Sequence, residues 1–389
     1  MPAISEINTD YEEKFLKFLN RGKIPQDFER QLIKDHSDRV KAILEGKNPP
    51  PYEVEIQPYS ICNLKCSHCF GKNEKKLPNY IDEKGMEEIA RKIDEFKEDG
   101  FKIEVAKFCG TTGEPLMNRA IIRGIELFKK QGQKIIVFTN GLMLDKKANG
   151  KTYGDYILEA DKLNLSLDAG SEETFFSLKG REGFNRIVKS LDYLVNERLN
   201  TGSKLKISVS YVIGEKNYHD IINATRIIKK TGADEISFRI DFMNPKNIEK
   251  LSSSILTDLE EAMKYKDDTF VVNSVYSKDE ISGKKSDAFI SKGRRCFNRY
   301  FWACIGPDCN LYACGHRTHG GVKSYGSILN NSFKDLWNSD GRLASVKNLP
   351  DLDCKVCSPS SLRRNDFMTF LDKTCKEEGY EKVCKMINI

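Results

Sequence analysis

Between residues 53 and 240 the chain alternates short runs rich in β-branched and aromatic residues with longer stretches of helical periodicity, and this limits its fold more than any other feature. The strand candidates are 53–57, 102–108, 134–139, 162–167, 205–213 and 234–240. Helical stretches at 82–99, 118–131, 152–160, 184–199 and 217–231 lie between or after them. Several strands run out into turn residues, at Gly110, Asn140-Gly141, Gly170 and Gly214. Strands that each lead into a helix pair in parallel, because a parallel pairing needs a long crossover. The predicted class is α/β, with a parallel sheet whose ligands gather at the carboxyl ends of its strands.

The flanks read differently. Residues 1–50 predict an N-terminal helical extension that breaks at Pro49-Pro50-Pro51, and residues 51–250 form the core. Residues 251–295 predict one helix (255–266) and a polar linker. A smaller unit spans 296–358, with a hairpin around Ile305–Asn310 and a helix from Ser332, and 359–389 predict a helical tail. Lys and Arg number 63 against 57 Asp and Glu, and the resulting +6 is spread through the chain. A nucleic-acid partner calls for a massed basic stripe, so none is expected. No apolar run approaches the ~18 residues of a membrane span, and the first residues carry acids in place of a signal-peptide core. A cytoplasmic protein with no membrane partner is the expectation.

In a reducing compartment, clustered cysteines suggest a metal site and not disulfides. Nine of the twelve fall in two zones, 62–69 and 296–357. The first zone follows the first strand and reads Cys62-x3-Cys66-x2-Cys69. Structural zinc sites usually pair Cys-x2-Cys arms to reach four ligands. Three thiolates on one tight loop instead leave a coordination position open, which suits a [4Fe–4S] cluster with one iron free to take another ligand.

Placed after the first strand of a β/α chain, this motif resembles the signature of the radical S-adenosylmethionine (radical SAM) superfamily. Gly110-Thr111-Thr112-Gly113-Glu114-Pro115 is similar to that family's Gly-Gly-Glu-Pro motif, with Thr112 in the place of the first glycine. Ser166-Leu167-Asp168-Ala169-Gly170 resembles the segment that contacts the ribose and carboxylate of SAM. The resemblance implies a partial (β/α)6 TIM-type barrel. It implies a cluster on Cys62, Cys66 and Cys69 whose open iron is chelated by SAM, and His68 beside the adenine. It also implies SAM contacts at Thr112, Gly113, Glu114, Pro115, Ser166 and Asp168, with Glu114 accepting from the methionine ammonium. One electron, from a donor such as flavodoxin or ferredoxin, would break the C5′–S bond of SAM, and the 5′-deoxyadenosyl radical would take hydrogen from substrate.

In the second zone Cys354 and Cys357 make a paired arm, and Cys296 and Cys314 flank the hairpin. With Tyr325-Gly326-Ser327-Ile328 and Phe333–Trp337, this zone resembles the twitch unit, a shortened SPASM domain. The resemblance implies one auxiliary [4Fe–4S] cluster on Cys296, Cys314, Cys354 and Cys357; a zinc knuckle is the alternative. Cys309 stands where SPASM patterns carry glycine. Cys304 and Cys309 are either competing ligands or small buried residues, Cys109 is either a hydrogen donor or a packing thiol, and Cys375 and Cys384 fit the tail.

The segments 54–66 and 166–171 and the single auxiliary cluster resemble antibiotic-pathway aminocyclitol dehydrogenase and sugar dehydratases, and the short helical stretch before the first strand is not expected to bind a leader peptide. The function implied is oxidation or dehydration of a polyhydroxylated small molecule (sugar, aminocyclitol or nucleoside) by an oxidoreductase or lyase. A maturase that cross-links or epimerises a ribosomal peptide, and a non-catalytic iron–sulfur or zinc protein, are the alternatives. Arg239, Asp241, His316, Arg317 and His319 are candidates to contact substrate or to act as general base; the competing expectation is solvated polar loop residues.

Overall fold

The computed structural model describes residues 28–77, 79–241, 243–274, 278–283, 295–347 and 357–387. The first part of the expected N-terminal extension, the linker over 284–294 and Cys354 lie outside the described residues.

Six strands stand where the alternation places them: β1 (Glu53–Ile56), β2 (Val105–Phe108), β3 (Lys134–Thr139), β4 (Lys162–Ser166), β5 (Lys206–Ile213) and β6 (Glu235–Ile240). The helices are α1 (Phe28–Leu44), α2 (Glu83–Glu95), α3 (Ala120–Lys130), α4 (Tyr153–Ile157), α5 (Glu172–Lys179), α6 (Phe184–Thr201), α7 (Ile221–Thr231) and α8 (Pro245–Met263). Their limits follow local chemistry. Asp82 caps α2 by accepting from the Gly85 N–H at 2.7 Å. Ser171 caps α5, which ends on Gly180 in the left-handed region at φ 69°.

Two expectations are corrected. The helix placed at 255–266 runs over Pro245–Met263, its proline seated in the first turn where a missing N–H costs nothing. The polar text beyond it holds a seventh strand, β7 (Val271–Ser274), parallel to β6. Four residues are too few to show a period, so only the pairing reveals this strand.

The register sorts the sheet into two faces. Val54, Ile56, Phe108, Val137, Leu165 and Val209 lie on one face and are fully buried in the main core, which includes the inner positions of the helices. Glu55, Lys107, Asn164, Ser208, Ser237 and Asn273 lie on the other, which lines the open barrel.

The C-terminal unit continues this sheet. Its first strand, β8 (Trp302–Ile305), pairs in parallel with β1, Glu55 opposite Cys304. Antiparallel β9 (Asn310–Tyr312) and β10 (Gly326–Ser327) follow, giving the order β7-β6-β5-β4-β3-β2-β1-β8-β9-β10. Helices α9 (Phe333–Trp337), α10 (Asp340–Lys347), α11 (Pro359–Glu378) and α12 (Tyr380–Ile387) complete the described chain. A second core joins Leu32 and Val40 of α1 to Phe297, Phe301, Phe367 and Leu371, with Cys375 packed against it. No helix among the described residues is long and apolar enough to cross a membrane.

Candidate active site

The three-cysteine loop leaves the carboxyl end of β1 and is clamped on two sides. Lys65 and Ser67 N–H groups donate to the Lys179 and Leu178 carbonyls at the end of α5, at 3.1 and 2.8 Å. On the other side the Glu114 N–H donates to Ile61 O at 2.9 Å. A Cβ on Gly113 would lie 2.0 Å from Tyr59 O, so only glycine lets these two backbones meet. Cys62 and Cys66 are half-buried, Cys69 is exposed, and none is in a disulfide. Burial pushes the Cys66 thiol up to about 11 and raises Cys62 as well. Desolvated thiolates need a compensating positive charge. Among the described residues no three His, Cys, Asp or Glu side chains are drawn together as ligands for a metal ion. The fit is therefore judged on the donors: three unbridged thiols on one clamped loop suit an iron–sulfur cluster with an open position.

Glu114 is buried behind this loop. Its Oε1 accepts from the Leu116 N–H at 3.0 Å and the Thr139 hydroxyl at 2.7 Å, and its Oε2 accepts from the Asn140 N–H at 2.8 Å. Burial raises its pKa, and those three donors only partly offset it. The carboxylate thus caps the short turn Pro115–Met117 and fixes the end of β3, with one lone pair of Oε2 left over. Thr112 and Pro115 are buried in the same edge. Asn140, which the motif reading missed, reaches toward Cys62 Sγ at 3.7 Å and Asn63 Oδ1 at 2.7 Å.

Asp168 follows β4 in the left-handed region at φ 59°, a position that asparagine, aspartate and glycine tolerate best. Its Oδ2 accepts from the Lys179 ammonium and from His68 Nε2 (3.3 Å), and its Oδ1 accepts from the Val212 N–H at 2.7 Å. Burial would raise this carboxyl, but Lys179 and His68 hold it well below the usual carboxylate range. Asp168 thus holds His68 and α5 in place. Lys179 carries no motif and was missed; the short, weakly patterned segment that it ends gives no hint that it is buried. Ser166, at the end of β4, is half-buried, and its carbonyl lies 3.4 Å from the Lys179 ammonium.

A cavity of about 230 Å³ at this end of the sheet is lined by Ser67, His68, Val212, Asp241, Asn244 and Ile248. Asp241, singled out for substrate, therefore shares a wall with His68, singled out for adenine. Its carboxylate accepts from the Met243 N–H at 3.1 Å and Asn244 Nδ2 at 2.6 Å. A larger cavity of about 380 Å³ lies between α4 and α6 and contains none of the candidate residues.

The second cysteine zone folds back over the first. The Gly315 carbonyl accepts from Gln57 Nε2 at 3.1 Å and from the Thr111 hydroxyl. The His316 ring sits 4.7 Å from that of Phe70 with part of its side chain exposed, and desolvation by its neighbours lowers its pKa. His319 is buried, with Nδ1 3.1 Å from Glu74 Oε2 and Nε2 without a partner. Arg239 is exposed at the end of β6 and close enough to His316 to depress its protonation further. Arg317 follows on the same short turn. Cys304 is buried, 3.1 Å from Thr318 Oγ1 and 3.8 Å from Glu55 Oε1. Cys309 is buried at φ 59°, which explains why a glycine suits that place. Cys109 joins the pair Glu55–Lys107, and burial pushes its thiol well up. Of the auxiliary set, Cys296 lies 3.8 Å from Asn365 Nδ2 of α11, Cys314 opens the turn that includes His316, and Cys357 precedes α11.

Residues 56–228 match the family model of the Radical SAM superfamily. This chain carries a radical SAM domain. The superfamily works with a [4Fe–4S] cluster and SAM. A probable GTP 3′,8-cyclase of Saccharolobus islandicus is 25% identical over 217 residues, covering 56% of this chain and 65% of that protein. The GTP 3′,8-cyclase of Chlorobaculum tepidum is 30% identical over 146 residues, 36% of this chain and 40% of that protein. The chain thus spans about 65% of the length of the first of these curated relatives. Among solved radical SAM folds, Streptococcus suis SuiB bound to S-adenosylmethionine superposes with TM-score 0.61 at 17% identity, covering 96% of this chain and 87% of that one. SuiB bound to the precursor peptide SuiA gives 0.60 at 16%, covering 97% and 89%. The anSMEcpe structure with bound AdoMet gives 0.55 at 14%, covering 87% and 100%.

Proposed function

We propose that this chain is a radical SAM enzyme acting on a polyhydroxylated small molecule at a C–H beside a hydroxyl. Cys62, Cys66 and Cys69 hold the cluster, and the Gly113-Glu114 edge receives the methionine end of SAM through the remaining lone pair of Glu114. When bound, the cluster and SAM supply an oxidant strong enough to take a hydrogen atom from carbon. The rest belongs to the protein. Asp168 and Lys179 set the pose of His68 on the adenine side, and Asp241 closes the same cavity. Arg239, at the end of β6, and His316, on the turn after Cys314, are both exposed, and His316 would accept a proton from a substrate hydroxyl there. His319, held through Nδ1 by Glu74, keeps the turn over the cysteine loop. Cys296, Cys314, Cys354 and Cys357 would hold an auxiliary cluster, which would supply one-electron redox chemistry there, and a small redox protein would serve as the electron donor.

The observation that supports this reading most is the double clamp of the three-thiol loop against Gly113-Glu114 and the end of α5. The name of the curated relatives, GTP 3′,8-cyclase, also points to small-molecule chemistry. Substrate deuterated at the carbinol carbon should pass label into 5′-deoxyadenosine. A peptide substrate is the second reading, supported by the fold shared with SuiB, which has been solved bound to SuiA. Label arriving only from a peptide would establish it in place of the first.

A further inference from the structure

The barrel-lining face of β4 to β7 has a polar strip that no motif predicts. Asn164 and Ser208 are neighbours across β4 and β5, and Ser237 and Asn273 are neighbours across β6 and β7. Asn164 Oδ1, Ser208 Oγ and Asn273 Oδ1 are buried with no hydrogen-bond partner, in residues 5%, 2% and 4% exposed. An unpaired buried polar group is costly, and three on one face of the sheet, on β4, β5 and β7, call for a ligand. The charges at the amino-terminal end of the strip are spent on each other: Lys162 Nζ lies 3.2 Å from Glu235 Oε2. What remains is neutral. Each carboxamide and hydroxyl can both donate and accept, as can the hydroxyls of a polyol.

We infer that Asn164, Ser208 and Asn273 are specificity-determining residues that hydrogen-bond an uncharged, hydroxyl-bearing ring of the substrate. This rests on the small-molecule reading above and names the substrate chemistry that the strip would recognise. Among the described residues the strip has no unpaired cation for a phosphate and no unpaired anion for an ammonium, so charged substituents would sit toward the mouth near Arg239.

The test uses the full chain, reconstituted anaerobically with SAM present. Affinity is measured by calorimetry for myo-inositol, D-glucose and uridine, with N-acetyl-dialanine amide as the peptide arm. The variants are Asn164→Leu/Asn273→Leu and the milder Ser208→Ala, which decides the matter where the double variant fails to fold. The wild type is expected to bind at least one polyol. The double variant should bind it about tenfold more weakly or worse, since two neutral hydrogen bonds are lost. The Tm of ligand-free Ser208→Ala should equal or exceed that of wild type, because an unpaired group has been removed. Binding of the amide alone, binding of no polyol, unchanged affinity in the variants, or a lower Tm for Ser208→Ala would each overturn the inference. The radical SAM reading is judged separately, on the iron content and SAM cleavage of the wild type, and can hold while this assignment fails.

Discussion

The ring of His316 lies 4.7 Å from the ring of Phe70, the residue that follows Cys69. The turn opened by Cys314 therefore rests directly on the loop of the first cysteine motif. Strand β8, paired with β1, carries the C-terminal unit to that place, so the two cysteine zones meet across one continuous sheet. A chain that kept the barrel but lost β8 would leave the cysteine loop uncovered.

Replacing Cys62, Cys66 and Cys69 together with Ala should abolish SAM cleavage and lower iron from about eight to about four per chain, as expected for the loss of one of two [4Fe–4S] clusters. Cys357→Ala should remove the other four. Iron and sulfide assays on reconstituted protein decide it; zinc in the C-terminal zone would count against the auxiliary cluster.

Glu114→Ala should weaken SAM binding by about tenfold or more, one charge-assisted hydrogen bond being worth about 1.5–3 kcal/mol. The structure adds a second effect. Glu114 caps Pro115–Met117 and holds Thr139 and Asn140, so the same variant should also lower Tm. Glu114→Gln should recover part of the stability but not the ammonium contact. Calorimetric SAM titration beside thermal melts separates the two effects.

Lys179→Met should destabilise the fold by about 3–5 kcal/mol, because it strands the buried Asp168 carboxylate without its cation. Adding Asp168→Asn should return most of that loss. Denaturant melts of the two variants and wild type measure the coupling.

Acidification should weaken the packing of α1. Burial, then the charges of Arg364 and Arg39, lower His36 from 6.5 to about 4, so the folded protein holds it neutral while the unfolded chain takes up a proton first. Its contribution is complete above pH 6.5 and is lost as pH falls toward 4. Urea midpoints at pH 7 and pH 5 should differ less in His36→Phe than in wild type.

Much of this architecture is legible in the sequence because it is local. The periods of six strands and the three-cysteine spacing each need only a few neighbouring residues to be recognised. The seventh strand was not legible, because Val271–Ser274 shows no period and is defined by its pairing with β6. Helix α5 was missed for a like reason: eight residues between two stronger signals carry little pattern of their own.

The sequence by itself determined the alternation that makes a parallel sheet, the thiol loop at the end of its first strand and the glycine at 113. These follow from side-chain period, donor type and backbone freedom. Only the tertiary structure decided that Asp168 spends its carboxylate on Lys179, His68 and the Val212 N–H. The same holds for the C-terminal hairpin, which extends the barrel sheet through β8, and for Asn164, Ser208 and Asn273, which share one buried strip. Those partners are 11 to about 250 residues apart in the chain, and whether a charge is paired or an amide left unpaired depends on neighbours that folding alone brings near.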